Sequence, residues 1–219
     1  MQPIFDLKGF NLDFGEHQVL KGINLKIERG EKVALIGPSG AGKTTLLKEL
    51  FAQAAEPKAF VPQAQAMVAQ LSLFHNVYIG ALDHHSFFVN LLNLLVPQAK
   101  MKQKILPILR NLGIEQRIFE SIGSFSGGEQ QRAAIARGLF RPADLLLADE
   151  PVSSLDPVKA GSAIDLMLRE KETVILSLHS VDLALSKAQR IIGLKAGQIL
   201  FDRPQGAVTP ADLKQLYQP

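Results

Sequence analysis

The chain has no cysteine and no tryptophan among its 219 residues. Without cysteine there is no disulfide, no thiolate metal site and no cysteine nucleophile, in a reducing or an oxidising compartment alike. Long hydrophobic runs are missing too. The most apolar window, residues 87–96, is interrupted by Asn90 and Asn93 and stops at Pro97, well short of the roughly 20 residues that span a bilayer. Any role at a membrane is therefore expected to run through a partner. The first residues, MQPIFDLKGFNLDF, lack the basic, apolar and small-residue order of a secretory signal, so the cytoplasm is the expected compartment. Charge of one sign is also scarce: 24 basic against 21 acidic residues leave a net +3, with no run of five like charges, and no nucleic-acid partner is expected. What is present, 47% hydrophobic and 21% charged residues, suits a single α/β domain and excludes disorder as the main state.

Periodicity orders the chain. Residues 4–14 and 19–27 alternate as antiparallel strands, and the apolar run 32–36 is followed at once by a glycine-rich loop and a helix from Thr44 to about Ala55. A short strand is expected at 60–62. From Met67 to about Ser124 the spacing is mostly helical, broken by Pro97, Pro107 and Gly113, which predicts an inserted helical subdomain over about 67–125 of the single domain 1–219. An αβ rhythm then resumes: a helix over 126–139, strand 145–148, helix 158–170 and strand 173–178, as in a mostly parallel sheet covered on both faces. Residues 191–194 and 198–201 read as a hairpin. Thr209, Pro210 and Asp212 start a C-terminal helix with a capping box.

The chemistry is concentrated at loop ends. Gly37, Pro38, Ser39, Gly40, Ala41, Gly42, Lys43 and Thr44, followed by Thr45, satisfy the GxxxxGK[ST] pattern between a strand and a helix, the context its mechanism requires. Backbone N–H groups and the helix N-terminus cradle phosphates there, Lys43 reaches the β and γ phosphates, and the Thr44 hydroxyl is placed for Mg²⁺. A plain glycine-rich turn is a poor alternative. Asp149 and Glu150 end an apolar strand, at the sheet edge where α/β proteins bind ligands. There Asp149 would hold the metal and Glu150 would polarise the attacking water.

Ser126-Gly127-Gly128-Glu129-Gln130-Gln131-Arg132, just before a helix and upstream of Asp149-Glu150, resembles the signature motif of ATP-binding cassette proteins. Gln63 resembles that family's Q-loop glutamine, Ser154-Leu155-Asp156 its D-loop, and His179 its switch histidine. The resemblance covers nearly the whole chain. It implies a P-loop NTPase fold with an antiparallel β subdomain, and two cassettes packed head to tail. Each ATP with its Mg²⁺ would lie between the phosphate loop of one and the Ser126, Gly127, Gly128, Glu129 and Asp156 segment of the other. By the same resemblance Phe14 stacks on adenine, with a core position as the competing reading. Gln63 couples metal and water to the helical subdomain, and His179 contacts the γ phosphate. His17, His75, His84 and His85 read as surface or packing residues, since no acids or cysteines accompany them as metal ligands.

The stretches 76–82, 149–157, 178–184 and 190–197 look like the phosphonate importer ATPase subfamily. That likeness implies an ATPase subunit peripheral on the inner membrane. Its partners would be membrane permease subunits, a second copy of the chain and, indirectly, a solute-binding protein. The permease contact would run through the helical segment 67–125, particularly 71–82, whose apolar residues read otherwise as core. Export by another transporter, or a soluble or regulatory cassette, are the alternatives. Two departures stand out. Only residues 46–62 separate Thr45 from Gln63, as if one hairpin of the antiparallel subdomain were absent, and Phe125 and Glu129 stand where leucine and glutamine are common.

Overall fold

The computed structural model describes residues 3–15, 17–64 and 66–218, in two compact units. The first comprises Met1–Glu56, Leu147–Glu150 and Glu172–Pro219. Within it, β1 (Phe5–Phe14) and β2 (His17–Ile27) form an antiparallel ribbon. That ribbon is a two-stranded sheet of its own, and among the described residues no further strand joins it, as the short 46–62 stretch led one to expect. β3 (Lys32–Ile36) runs parallel to both β6 (Thr173–Ser177) and β7 (Arg190–Lys195). Its Val33–Ile36 side chains are all buried, which is why the run is continuous rather than alternating: a central parallel strand has no solvated face. The C-terminal end of β5 (Leu145–Asp149) lies beside β6. β8 (Gln198–Pro204) returns antiparallel to β7 around Ala196 and Gly197, both at positive φ. The unit also holds α1 (Lys43–Gln53), which buries Leu46, Leu47 and Leu50, together with α7 (Val181–Lys187) and α8 (Pro210–Tyr217). The expected Thr209–Asp212 capping box caps α8.

The second unit comprises Pro57–Leu146 and Pro151–Lys171. It contains β4 (Lys58–Val61), α2 (Leu73–Tyr78), α3 (Phe87–Leu95), α4 (Ala99–Asn111), α5 (Gly127–Phe140) and α6 (Pro157–Glu170). Residues 67–72, expected as helix, are not helical. The buried Asn76 side chain holds them as a loop, accepting from the Val68 N–H at 2.8 Å and donating to the carbonyls of Val68, Leu71 and Ser72 at 3.0–3.1 Å. Pro107, expected to break the helix, lies inside α4. Both Pro107 and Gln103 are exposed, so the carbonyl that loses its donor faces water, and burial of Met101, Ile105 and Leu109 carries the helix through. Gly113, at φ +64°, does end it. The Ile114 N–H bonds Leu109 O and the Gly113 N–H bonds Arg110 O, the pair of bonds that defines a Schellman cap.

Candidate active site

The phosphate loop leaves β3 at Ile36 and enters α1 at Lys43. A Cβ on Gly37 (φ +151°) would stand 2.0 Å from Leu194 O, so only glycine fits where the loop passes β7. Gly42 caps α1 at φ 101°, with no side-chain cap and no acid in the first turn. The helix thus opens onto the loop with no carboxylate of its own first turn at its positive end. Ser39 and Gly40 form the exposed tip, Pro38 is half-buried, and Ala41 turns back through its N–H to Pro38 O at 3.2 Å. Thr44 and Thr45 are half-buried in the first turn of α1. Lys43 is only 5% exposed. Its Nζ donates to Gly37 O at 2.8 Å and Pro38 O at 3.1 Å. Burial pushes the ammonium pKa down, against the attraction of the Glu150 and Asp149 carboxylates.

Those carboxylates are buried in the same unit. Asp149 Oδ1 accepts the Ser177 hydroxyl at 2.6 Å, and Ser177 Oγ accepts the Glu150 N–H at 2.9 Å. One serine therefore aligns both acids. Glu150 sits at φ +47°, a left-handed conformation rare outside glycine and found where a site demands it. His179, just past β6, sets Nε2 2.5 Å from Glu150 Oε1, with the histidine about half exposed and the glutamate buried. Loop, lysine, acid pair and histidine thus belong to one unit.

Ser177 and Tyr217 escaped the sequence reading. The only sign of Ser177 is a polar residue ending the apolar strand Thr-Val-Ile-Leu. Tyr217, in α8, lies near the Gly37 backbone, a proximity with no local signal; burial pushes its phenol pKa up, and that backbone pulls it down. Ser177→Ala removes a hydrogen bond to a buried carboxylate, so a loss of about 1.5–3 kcal/mol is expected, with a fall in any turnover that depends on the acid pair. Thermal unfolding and steady-state turnover check both, and unchanged turnover would contradict an aligning role.

Phe14 ends β1 with 63% of its surface exposed, so it is not a core residue. The remaining expected residues belong to the second unit. Gln63 follows β4 and is exposed. Ser126 is the N-cap of α5, in a capping box with Glu129. Gly128 is packed so that a Cβ would lie 3.1 Å from Ser154 O. Gln131 joins the same two segments, accepting from the Ser154 N–H at 2.7 Å and donating to Ser153 Oγ at 3.2 Å. Asp156 caps α6 through the Lys159 N–H. His75 bonds Ser72 and the Asn93 carbonyl, and His85 stacks on Tyr78, so both are packing residues.

The family model described as "ABC transporter" matches residues 20–153. Among curated proteins the chain is similar to a phosphonates import ATP-binding protein, PhnC 1, of Pseudomonas aeruginosa, with 39% identity covering 96% of this chain and 90% of the relative. It is also similar to PhnC of Pseudomonas entomophila, 36% identical over 96% of this chain and 90% of the relative. Among solved structures it resembles a bacterial ABC transporter cassette determined as a dimer, with TM-score 0.75, 25% identity, and 90% of this chain and 97% of that one covered. A metal-chelate type ABC transporter in an inward-facing conformation shares the fold at TM-score 0.80 and 22% identity, over 96% of this chain and 87% of that one.

Proposed function

This chain belongs to the ATP-binding cassette transporter family, and we propose that it hydrolyses ATP to drive a membrane permease importing phosphonate or a related oxyanion. The observation that carries the catalytic part is the unit in which Lys43 lies buried at the phosphate loop together with Asp149, Glu150 and His179. The solute rests on relatives named for phosphonate import, 32–39% identical over nearly the whole chain.

The steps follow from the residues. The inward-facing N–H groups of Gly37, Ser39, Gly40, Ala41 and Gly42, with those of Lys43, Thr44 and Thr45, form the phosphate cradle, and Pro38, which has no N–H to give, shapes the turn between them. Lys43 exchanges its two carbonyl partners for phosphate oxygens, and Phe14 offers an exposed ring to adenine. Thr44 and Asp149 supply hydroxyl and carboxylate oxygens, a donor set that suits Mg²⁺. Ser177 occupies one Asp149 oxygen and leaves the other for the cation. Bound there, Mg²⁺ would offset charge on the β and γ phosphates. Glu150 accepts the proton of the attacking water. His179 holds the Glu150 carboxylate by its Nε2 and contacts the γ phosphate. Ser126, Gly127, Gly128, Glu129 and Asp156 of a second copy complete the site.

No helix among the described residues is long and apolar enough to cross a membrane. In this reading the permease subunits hold the chain at the cytoplasmic face of the inner membrane, and a solute-binding protein acts on it only through them. Leu71, Tyr78, Leu82, Phe87, Leu91 and Leu94 line an apolar cavity of about 330 Å³ in the second unit, which gives the permease an anchor pocket. The test is ATPase activity of the chain reconstituted with its permease in vesicles. Phosphonate raises the rate if the solute is right. Stimulation by a different solute alone would overturn the solute and leave the ATPase in place.

A further inference from the structure

Two departures from the common signature pattern, Phe125 for leucine and Glu129 for glutamine, meet on one side chain outside that pattern. Arg117, in a 3₁₀ turn after α4, stacks its guanidinium carbon 4.1 Å from the Phe125 ring centroid. Its NH1 donates to Glu129 Oε1 at 2.8 Å and its NH2 to Ser124 Oγ at 3.0 Å, while Nε is anchored on Glu120 at 2.8 Å. Glu129 Oε2 in turn accepts the Ser126 N–H at 2.9 Å and the Ser126 hydroxyl at 2.8 Å. Residues 124, 125 and 126 are therefore each tied to Arg117, directly or through Glu129.

This arrangement has an electrostatic cost that glutamine would not carry. The bonds from Ser126, then that from Arg117, hold the Glu129 carboxyl at about 2. A depressed carboxylate pKa means that its interactions persist above the ordinary carboxylate range and are lost only as pH falls through about 2. At neutral pH, protonation never relieves the charge. A phosphate approaching the Ser126 hydroxyl would meet a fixed anion bonded to that same hydroxyl, unless a cation offsets it.

We propose that Arg117 is a positioning residue of the composite nucleotide site: it neutralises Glu129 and clamps the Ser126 turn so that the motif accepts the triphosphate held by a second copy of the chain. The aromatic ring at 125 and the acid at 129 are then a matched pair, since a guanidinium stacks on a phenylalanine face and pairs with a carboxylate, and does neither with leucine and glutamine. This role rests on the reading that the Ser126 motif closes over nucleotide bound by another cassette.

The test uses the full-length Glu150→Gln chain, whose ATP-driven dimers are followed by light scattering. Adding Arg117→Ala raises the ATP concentration for half-maximal dimerisation by about tenfold or more, while ATP affinity of the monomer stays unchanged. Adding Glu129→Gln to Arg117→Ala restores dimerisation to within about threefold of the parent, because the charge to be offset is gone. Arg117→Lys, which keeps charge but not the fork, falls between. Dimerisation of Arg117→Ala at the parent's ATP concentration, or a defect that Glu129→Gln does not relieve, overturns the proposal. A parent that forms no dimers contradicts the cassette-pair reading instead. In that case hydrogen exchange in the monomer decides: the Ser126 and Glu129 amides must exchange faster in Arg117→Ala, and equal protection overturns the positioning role.

Discussion

Lys43→Met is expected to abolish useful nucleotide binding, raising the Kd for ATP by roughly 100-fold or more, about 3 kcal/mol. The substitution keeps a buried stem of similar length and removes the ammonium, so the loss is one of charge and not of packing. In the free protein the ammonium is stripped of water and rests on two carbonyls of its own loop. Its charged form is disfavoured there, as the lowered pKa shows. Phosphate oxygens are far better partners for a desolvated cation than neutral carbonyls, so this strain is released on binding. Isothermal titration with ATP, alongside thermal unfolding to confirm the fold, checks the result. Unchanged affinity in a folded variant would remove the lysine from the site.

The second large effect is on turnover. Glu150→Gln is expected to lower kcat by about 10²–10⁴-fold, the usual contribution of a general base, with ATP affinity retained. Glutamine fits the same pocket, tolerates the left-handed backbone at φ +47° about as well as glutamate, and still bonds His179. It differs in having no basic oxygen to take a proton from water. His179→Ala tests the same contact from the other side: it leaves the acid and removes the group 2.5 Å from it. The expected result is a kcat loss with little change in KM. Single-turnover measurements separate this from slow product release. A Glu150→Gln chain that hydrolyses ATP at the parent rate would contradict the assigned base.

The phosphate loop was legible because its chemistry is local: eight adjacent residues and the apolar run before them specify both the turn and its ligand. Asp149 and Glu150 were legible for a related reason, since they close an apolar strand and a parallel sheet brings such ends to one edge, whereas His179 was picked out by its resemblance to the switch histidine of cassette proteins. Ser177, Tyr217 and Arg117 were not. Ser177 acts on residues 27 and 28 positions away, and Tyr217 meets Gly37 from the far end of the chain. Such pairings depend on strand order and helix return, which periodicity does not encode. The loop at 67–72 was misread because its helical spacing is outweighed by one buried asparagine that satisfies its backbone. Pro107 was misread for the opposite reason: the packed face of α4 outweighs one missing hydrogen bond on the solvent side.

The most direct test of the account is the molecular mass of the purified Glu150→Gln chain by light scattering, with and without ATP, and with Lys43→Met as control. Composite sites predict a monomer without nucleotide, a dimer with ATP, and no dimer when Lys43 is replaced. A chain that binds ATP by titration and stays monomeric at saturation would contradict two working sites formed by identical copies.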